Sequence, residues 1–248
     1  MKYITKYKSP NYNSRKNSQI MLIIIHYTAL KNIEEAILYL CKKENKVSSH
    51  YLISQNGKTY NLVNDQFRAW HAGEAFWQGF TDINSISIGI ELDYNPYGKN
   101  NRFSSKMIYE LKELIIKIQK KYKISKNNIL GHSDIAPFRK IDPGKSFPWK
   151  VLSSSKILPS FKKINNYHIK ITEKWFYNHN VKSKKKITIF ALSIIGYDTR
   201  EVHNNLKLYN KLIRAYRIRY IKNGKNIKKQ STYYTLIKHL IKFLLTKK

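Results

Sequence analysis

Hydrophobic positions in the first half of the chain follow the spacing of β-strands at several places. The run IMLIII at residues 20–25 predicts a buried strand that delivers His26 at its carboxyl end. Alternating isoleucines within residues 85–92 predict a second strand. Asn56-Gly57 lies between two alternating segments, which is a strong signal for a β-hairpin.

Helical spacing of apolar residues separates these strands. It is found at residues 32–43 and again at residues 104–122, where Ser104 is suited to cap the helix amino terminus. A loop punctuated by Gly and Pro follows at residues 131–149. Strands that alternate with helices predict an α/β fold with a mixed central β-sheet flanked by helices.

The character of the sequence changes after about residue 160. The remaining part predicts helices at residues 200–221 and 232–245, with leucines spaced by four in the second. We therefore predict two domains: residues 1–160 with the α/β fold, and residues 161–248 as a small all-α domain.

The charge of the chain is strongly positive. There are 47 Lys and Arg against 15 Asp and Glu, a net charge of +32, and residues 161–248 alone hold 22 basic and 3 acidic residues, a balance of +19. Such a balance fits a polyanionic partner, whether nucleic acid, anionic lipid or wall polymer. Compositional drift toward Lys, Asn, Ile and Tyr is the favoured explanation, because the sequence is rich in all four, so charge alone does not choose a function.

Targeting signals are not evident in the sequence. The amino terminus has basic residues but no apolar stretch after them, and no apolar run approaches the ~20 residues needed to span a bilayer. The single Cys41 excludes an intrachain disulfide. We expect a monomer without a transmembrane segment, cytoplasmic as the sequence stands, with the cell envelope or periplasm as the alternative.

Two histidines and one aspartate form a candidate metal site. His26 ends the first strand, and His132 and Asp142 lie in the loop GHSDIAPFRKIDPGKSFPW. Two imidazoles and a carboxylate suit catalytic zinc, because they leave a fourth position open for water. From the residues alone other interpretations stay open: a histidine at a strand end is often a hydrogen-bonded core residue, and an aspartate before proline often forms a turn.

Five segments in order resemble a known enzyme family. They are IIIHYTA, SSHYLISQNGKTYNLV, RAWHAG, SIGIEL and GHSDIAPFRKIDPGKSFPW. Together they resemble the successive motifs of the type 2 N-acetylmuramoyl-L-alanine amidases, which are related to phage lysozyme amidases and peptidoglycan recognition proteins. The resemblance covers roughly residues 15–155.

The resemblance implies roles for five residues. His26, His132 and Asp142 match the family's zinc ligands, and Glu91 and Lys140 match its catalytic pair. The implied reaction is zinc-dependent hydrolysis of the amide between N-acetylmuramic acid and L-alanine, with peptidoglycan or a muropeptide as the partner.

Other residues receive weaker assignments. His50 is expected to be a buried structural histidine, because zinc sites of this class take three protein ligands. The resemblance suggests a substrate groove lined by residues of the RAWHAG segment and by others nearby, although a core position is the alternative for the tryptophan. The residues expected to bind substrate are Trp70, His71, Asn84 and Arg139.

The last part of the chain also has a counterpart. The segment around Gly196-Tyr197 and IRAYRIRY resembles the helical peptidoglycan-binding domain that follows this catalytic domain in some wall amidases. Two other function classes remain: a basic nucleic-acid-binding protein, and a non-catalytic peptidoglycan-binding module. The complete ligand set argues against the second, and we expect no specific nucleic-acid partner.

Overall fold

The computed structural model describes residues 2–99, 101–159, 163–221 and 229–246. The strands are β1 (Tyr12–Ser14), β2 (Leu22–Tyr27), β3 (Tyr51–Ile53), β4 (Thr59–Asn61), β5 (Phe67–Ala69), β6 (Ser87–Leu92) and β7 (Ile129–Gly131). The α-helices are α1 (Ile33–Cys41), α2 (Ile83–Ile86), α3 (Ser105–Tyr122), α4 (His132–Ile135), α5 (Trp149–Ser154), α6 (Asn166–Asn178), α7 (Lys184–Ile195), α8 (Leu206–Tyr220) and α9 (Lys229–Leu245).

A mixed five-stranded sheet forms the centre, with the order β4-β3-β6-β2-β7. Strand β2 is an interior strand and pairs in parallel with β6 on one side and with the edge strand β7 on the other. β3 also pairs in parallel with β6, and only the hairpin partner β4 runs antiparallel. β1 and β5 form a separate antiparallel pair. The predicted mixed α/β fold is confirmed.

The two faces of the sheet are covered by different helices. Successive residues of a strand point to opposite faces, so Ile23 and Ile25 of β2 join the core beneath α3 and α5. Leu22 and Ile24 join the opposite core, to which helices α6, α7, α8 and α9 contribute. A strand buried on both faces reads as a continuous apolar run, which is why IMLIII was readable in the sequence.

Local capping explains several of the element boundaries. The side chain of Ser104 accepts a hydrogen bond from Met107 N at 3.1 Å, so the predicted cap of α3 is confirmed. Asn32 caps α1 in the same way. The predicted hairpin is β3–β4, and Gly57 adopts the left-handed conformation (φ +83°) in its turn.

Two predicted boundaries are corrected by the structure. Strand β6 begins at Ser87 instead of residue 85, because Asp82 caps the short helix α2 by accepting from Ser85 N and Ser85 Oγ. The predicted loop at residues 131–149 begins with a helix, since Asp134 accepts from Gly131 N at 2.8 Å and closes the first turn of α4.

The carboxyl-terminal part is helical, as predicted. The helix predicted at residues 200–221 begins later, at Leu206, because Asn205 accepts from Leu208 N and caps it there. The helix predicted at residues 232–245 begins earlier, at Lys229. The predicted domain boundary near Ser160 lies outside the described residues. Within the described ranges, no helix is both long and apolar enough to cross a membrane.

The carboxyl-terminal helices share a core with the sheet. Trp77 contacts the Tyr197 ring with centroids 5.0 Å apart, and an added Cβ at Gly196 would lie 2.9 Å from the Trp77 ring. Gly196 O also accepts a hydrogen bond from Gln78 N at 2.9 Å. Whether residues 161–248 form a separate domain stays a prediction, but their apolar side chains and the sheet bury one another.

A buried ion pair crosses this contact. Asp134 of α4 accepts from Arg219 of α8 at 2.6 Å and from the Tyr197 hydroxyl at 2.6 Å. Both charged side chains are at most 2% exposed. Arg219 also donates to Ile129 O at the end strand of the sheet. Helix α8 is thereby attached to the segment that carries His132.

We predict that Arg219→Met lowers the free energy of unfolding by about 3–5 kcal/mol, because it leaves Asp134 buried and unpaired. The control is Arg200→Met, whose pair with Asp198 involves an Arg200 side chain that is 62% exposed; its loss should cost about 0–1 kcal/mol. Urea denaturation measures both. Equal losses in the two variants would contradict a special contribution of the buried pair.

Candidate active site

Three neighbouring strands end at one edge of the sheet, and each brings a candidate residue there. His26 of β2 is paired in register with Glu91 of β6. Ile25 is paired with Gly131, the last residue of β7, so His132 follows next to His26. Because adjacent strands are about 4.8 Å apart, the pairing brings these three side chains together without further help from loops.

Asp142 reaches the same point from the loop after α4. Its Oδ2 lies 3.0 Å from His132 Nδ1 and 3.3 Å from His26 Nδ1, and the two Nδ1 atoms are 3.0 Å apart. The loop returns against β7, where an added Cβ at Gly131 would lie 2.6 Å from Pro143 Cδ. All three residues are buried, and they form a group that could hold a metal ion.

The hydrogen bond that His132 forms on the side away from Asp142 determines which of its two ring nitrogens carries the proton. Its Nε2 lies 3.0 Å from Ala72 O. A carbonyl oxygen can only accept, so Nε2 carries the proton and Nδ1 presents a lone pair to the cluster.

A relay of hydrogen bonds gives His26 the same tautomer. Ser87 Oγ donates its proton to Ile83 O at 2.6 Å. The same Ser87 Oγ therefore accepts a hydrogen bond from His71 Nε2 at 3.2 Å. His71 Nδ1 is then an acceptor, 3.0 Å from His26 Nε2, so His26 donates to it. The Nδ1 lone pair of His26 therefore also faces the cluster.

These donors fit a divalent cation. Two nitrogen lone pairs and a carboxylate oxygen within 3.0–3.3 Å repel one another unless a cation lies between them. Ligand atoms at 2.0–2.2 Å from a tetrahedral zinc would be about 3.3–3.5 Å apart. Histidine ligands that donate their second N–H to a fixed acceptor are the usual arrangement of such sites.

Burial and neighbouring histidines keep His26 and His71 neutral. Burial, together with His132, lowers the pKa of His26 to about 4. Burial and the neighbouring His26 lower the pKa of His71 well below its ordinary value. Burial alone would raise the pKa of Asp142, but positive charge at the cluster, on the imidazoles of His132 and His26 or on a bound cation, outweighs it and holds the carboxyl well below its usual range. Ionised Asp142 and neutral imidazoles are the forms that bind metal.

Glu91 and Lys140 line the same cleft as the three ligand residues. Glu91 is buried, and its Oε2 has no hydrogen-bond partner among the described residues. Burial, and then the charge of Asp142, raise the pKa of Glu91 to about 8. A carboxyl that titrates near neutrality can both take and return a proton. A bound cation would lower this pKa.

The residues predicted to bind substrate occupy different positions. His71 and Arg139 are among the described residues that line the cleft, whereas Trp70 and Asn84 are not. Asn84 Oδ1 accepts from the backbone N–H groups of His71 and Ala72 and thereby holds that segment in place. Direct contact of these four side chains with substrate stays a prediction.

Arg139 and Trp70 have protein partners of their own. The Arg139 guanidinium donates to Ala72 O and Glu74 O. Trp70 Nε1 donates to Asn13 Oδ1 at 3.0 Å. Both side chains therefore hold the segment that provides Ala72 O to His132, whatever they contact in substrate.

His50 is fully buried, and its Nδ1 accepts from Gly89 N at 3.0 Å. The expectation of a structural histidine agrees with this position. Sequence reasoning missed its neighbour Arg15, a buried side chain that donates to the carbonyl oxygens of four residues. An arginine in a polar amino-terminal segment carries no pattern that would distinguish it from a surface residue. The carbonyl oxygens that it contacts are those of Asp65, Asn84, Ser85 and Ser87.

Sequence reasoning also missed the relay role of His71. An added Cβ at Gly89 would lie 2.4 Å from the His71 ring, so only glycine at that position of β6 lets the ring lie against the sheet. The glycine in SIGIEL was the available signal, since an isolated glycine within a strand often marks a close approach.

Comparison with known proteins agrees with this geometry. The sequence model of the N-acetylmuramoyl-L-alanine amidase family matches residues 16–145, more than half of the chain. The chain belongs to this family. All three residues of the metal cluster and both Glu91 and Lys140 lie within the matched range.

Two curated relatives show how far the similarity extends. The amidase is 39% identical over 170 residues to the 1,6-anhydro-N-acetylmuramyl-L-alanine amidase AmpD of Haemophilus influenzae, a match that covers 60% of this chain and 90% of that protein. It is 38% identical over 164 residues to the N-acetylmuramoyl-L-alanine amidase AmiD of Escherichia coli, covering 60% of this chain and 58% of that protein.

Solved structures match over nearly the whole chain. The structure of Escherichia coli AmiD, in complex with anhydro-N-acetylmuramic acid-L-Ala-D-gamma-Glu-L-Lys, is 26% identical with a TM-score of 0.72 and covers 98% of this chain and 93% of that chain. The structure of AmpDH3 from Pseudomonas aeruginosa shares the fold, with 23% identity and a TM-score of 0.72, covering 100% of this chain and 98% of that one.

We predict that His132→Ala abolishes stoichiometric binding of a divalent metal, because two ligands cannot replace three in a closed cluster. His71→Asn should weaken binding about 10–100-fold through loss of the outer hydrogen bond of His26. Metal content after dialysis, and competition with a chromophoric chelator, measure the two effects. The control His203→Ala changes an exposed histidine and should bind like the wild type; full metal content in His132→Ala would contradict the assignment.

Proposed function

We propose that this amidase uses a zinc ion held by His26, His132 and Asp142 to hydrolyse the amide between N-acetylmuramic acid and L-alanine in muropeptides. The observation that carries the proposal is the convergence of two Nδ1 lone pairs and one carboxylate oxygen beside a buried glutamate and a lysine. Two nitrogen ligands and one oxygen ligand, with a cleft at the open side, are typical of catalytic zinc sites.

Zinc at this position would supply a Lewis acid that polarises the scissile carbonyl and acidifies water. Glu91 would take the proton of the attacking water, and its environment suits this because a bound cation would lower the raised pKa of the buried carboxyl toward the ionised form that accepts a proton. The same carboxyl would then return a proton to the departing amine of L-alanine, so that the protonation state of Glu91 is restored.

Lys140 would stabilise the negative charge that develops on the carbonyl oxygen. It lines the cleft two residues before Asp142, and it is partly buried. An ammonium group in a partly desolvated cleft stabilises an oxyanion more strongly than it would in water. The positive charge of Lys140 lowers the pKa of Glu91, whereas the negative charge of Asp142 raises it.

Muropeptides are proposed as the substrate because of what the similar proteins are named for. The relative from Haemophilus influenzae is a 1,6-anhydro-N-acetylmuramyl-L-alanine amidase, and the Escherichia coli structure contains an anhydro-muramyl peptide. Intact peptidoglycan is the alternative substrate, to which residues 161–248 would bind if they act as a wall-binding domain. The compartment and the monomeric state stay predictions.

We expect the purified full-length protein to convert a defined anhydro-muramyl tripeptide into anhydro-N-acetylmuramic acid and free tripeptide, as identified by mass spectrometry. A chelator should abolish the reaction, and added zinc should restore it, because the proposed reaction requires the metal. Cleavage at any other bond, or turnover that is unchanged after verified removal of metal, would contradict the proposal.

We predict that Glu91→Ala and Lys140→Ala each reduce turnover on the order of 10²-fold or more while zinc content stays intact. The matched controls are Glu34→Ala and Lys150→Ala, which change exposed residues of the same types outside the cleft. Steady-state kinetics and metal analysis on the same preparations measure the effect. Wild-type turnover in Glu91→Ala would show that another group activates the water.

A further inference from the structure

A second, larger cleft of about 1340 Å³ lies between the sheet and the carboxyl-terminal helices. Tyr27, Tyr94 and Lys145 contribute to it from the side of the sheet, and residues of α7, α8 and α9 line the opposite wall. It adjoins the metal-site cleft, since Tyr27 and Ile141 line both. Ile141 lies between Lys140 and Asp142, so a ligand that extends from the metal past this residue enters the larger cleft.

The charge of the larger cleft is one-sided. Five cationic side chains line it, and no Asp or Glu is among the described lining residues. We call it the cationic cleft. In the part of the chain that the structure describes, neither Arg214 nor Arg217 forms a salt bridge. The five cationic residues are Lys145, Lys184, Lys185, Arg214 and Arg217.

The two arginines lie on helix α8 close to Arg219, the residue that attaches this helix to Asp134. Arg214 and Arg217 are three residues apart and share one face, whereas Arg219 points to the other side and pairs with buried Asp134. Lys184 and Lys185 of α7 lie 5.3 Å and 5.4 Å from the ring centres of Tyr233 of α9 and Tyr209 of α8, respectively. Arg214 and Arg217 therefore belong to a helix whose position is fixed by a buried ion pair.

The charges of the substrate indicate which of its two ends would bind in this cleft. On the sugar side of the scissile amide, the lactyl carboxyl of muramic acid is consumed in the bond itself and carries no charge. On the peptide side, a γ-linked D-glutamate keeps its free α-carboxylate, and the peptide ends in another carboxylate. Guanidinium groups match carboxylates with two parallel hydrogen bonds.

We propose that the cationic cleft binds the carboxylates of the stem peptide beyond L-alanine, with Arg214 and Arg217 as specificity-determining residues. This inference rests on the proposed function, because it takes the peptide to be on that side of the metal. It gives the carboxyl-terminal helices a part in recognising small substrates, in addition to any contact with wall polymer.

The test compares one anhydro-muramyl tripeptide with free carboxylates against the same tripeptide with its carboxyls amidated. Wild-type protein should prefer the free acid, and R214Q/R217Q should lower that preference, measured as the ratio of kcat/KM values, about tenfold through a higher KM for the free acid. R217K in place of R217Q should recover part of it, because charge remains while the planar fork is lost.

The control is K170Q/K174Q on α6, which removes the same charge from exposed positions outside the cleft and should keep the wild-type preference. Thermal melts verify folding of both double variants. An unchanged preference in R214Q/R217Q would overturn the inference, as would equal losses in both double variants or a loss seen only on intact sacculi. If the wild type cleaves neither tripeptide, the proposed function fails and this inference fails with it.

Discussion

The parallel pairing of β2 between β6 and β7 is the interaction on which the rest of the structure depends. It buries β2 on both faces, and its register places His26 beside Glu91 and next to His132. Parallel strands place their carboxyl ends at one edge, so three residues far apart in sequence meet there before any loop is considered. Asp142 alone has to be delivered by a loop.

The same register also sets the protonation of the site. Ser87 and Gly89 of β6 are small, and Gly89 lets the His71 ring lie against the strand between Ser87 and His26. Hydrogen bonds link Ile83 O, the Ser87 hydroxyl, His71 and His26 in a chain. Because Ile83 O can only accept, it sets the direction of every hydrogen bond in this chain and leaves Nδ1 of His26 without a proton. A substitution that breaks this hydrogen-bond chain would therefore affect His26, a candidate metal ligand, without contacting it.

The carboxyl-terminal helices complete the molecule in two physically different ways. Their apolar faces cover the sheet face that Leu22 and Ile24 present, and Arg219 neutralises Asp134, two residues after the candidate metal ligand His132. The opposite side of α8 is cationic and borders the cleft that continues from the metal site. One helix thus both supports the segment that carries His132 and supplies a charged wall of the neighbouring cleft.

The sequence by itself determined the elements and the candidate chemistry. Local periodicity and caps such as Ser104 depend on neighbouring residues, and the ordered motifs named His26, His132 and Asp142 without any coordinates. Only the tertiary structure decided that β2 lies between β6 and β7, that His71 turns toward His26, and that Arg219 pairs with Asp134 across 85 positions. Such contacts depend on strand order and on packing between distant segments, and neither leaves a periodic trace along the chain.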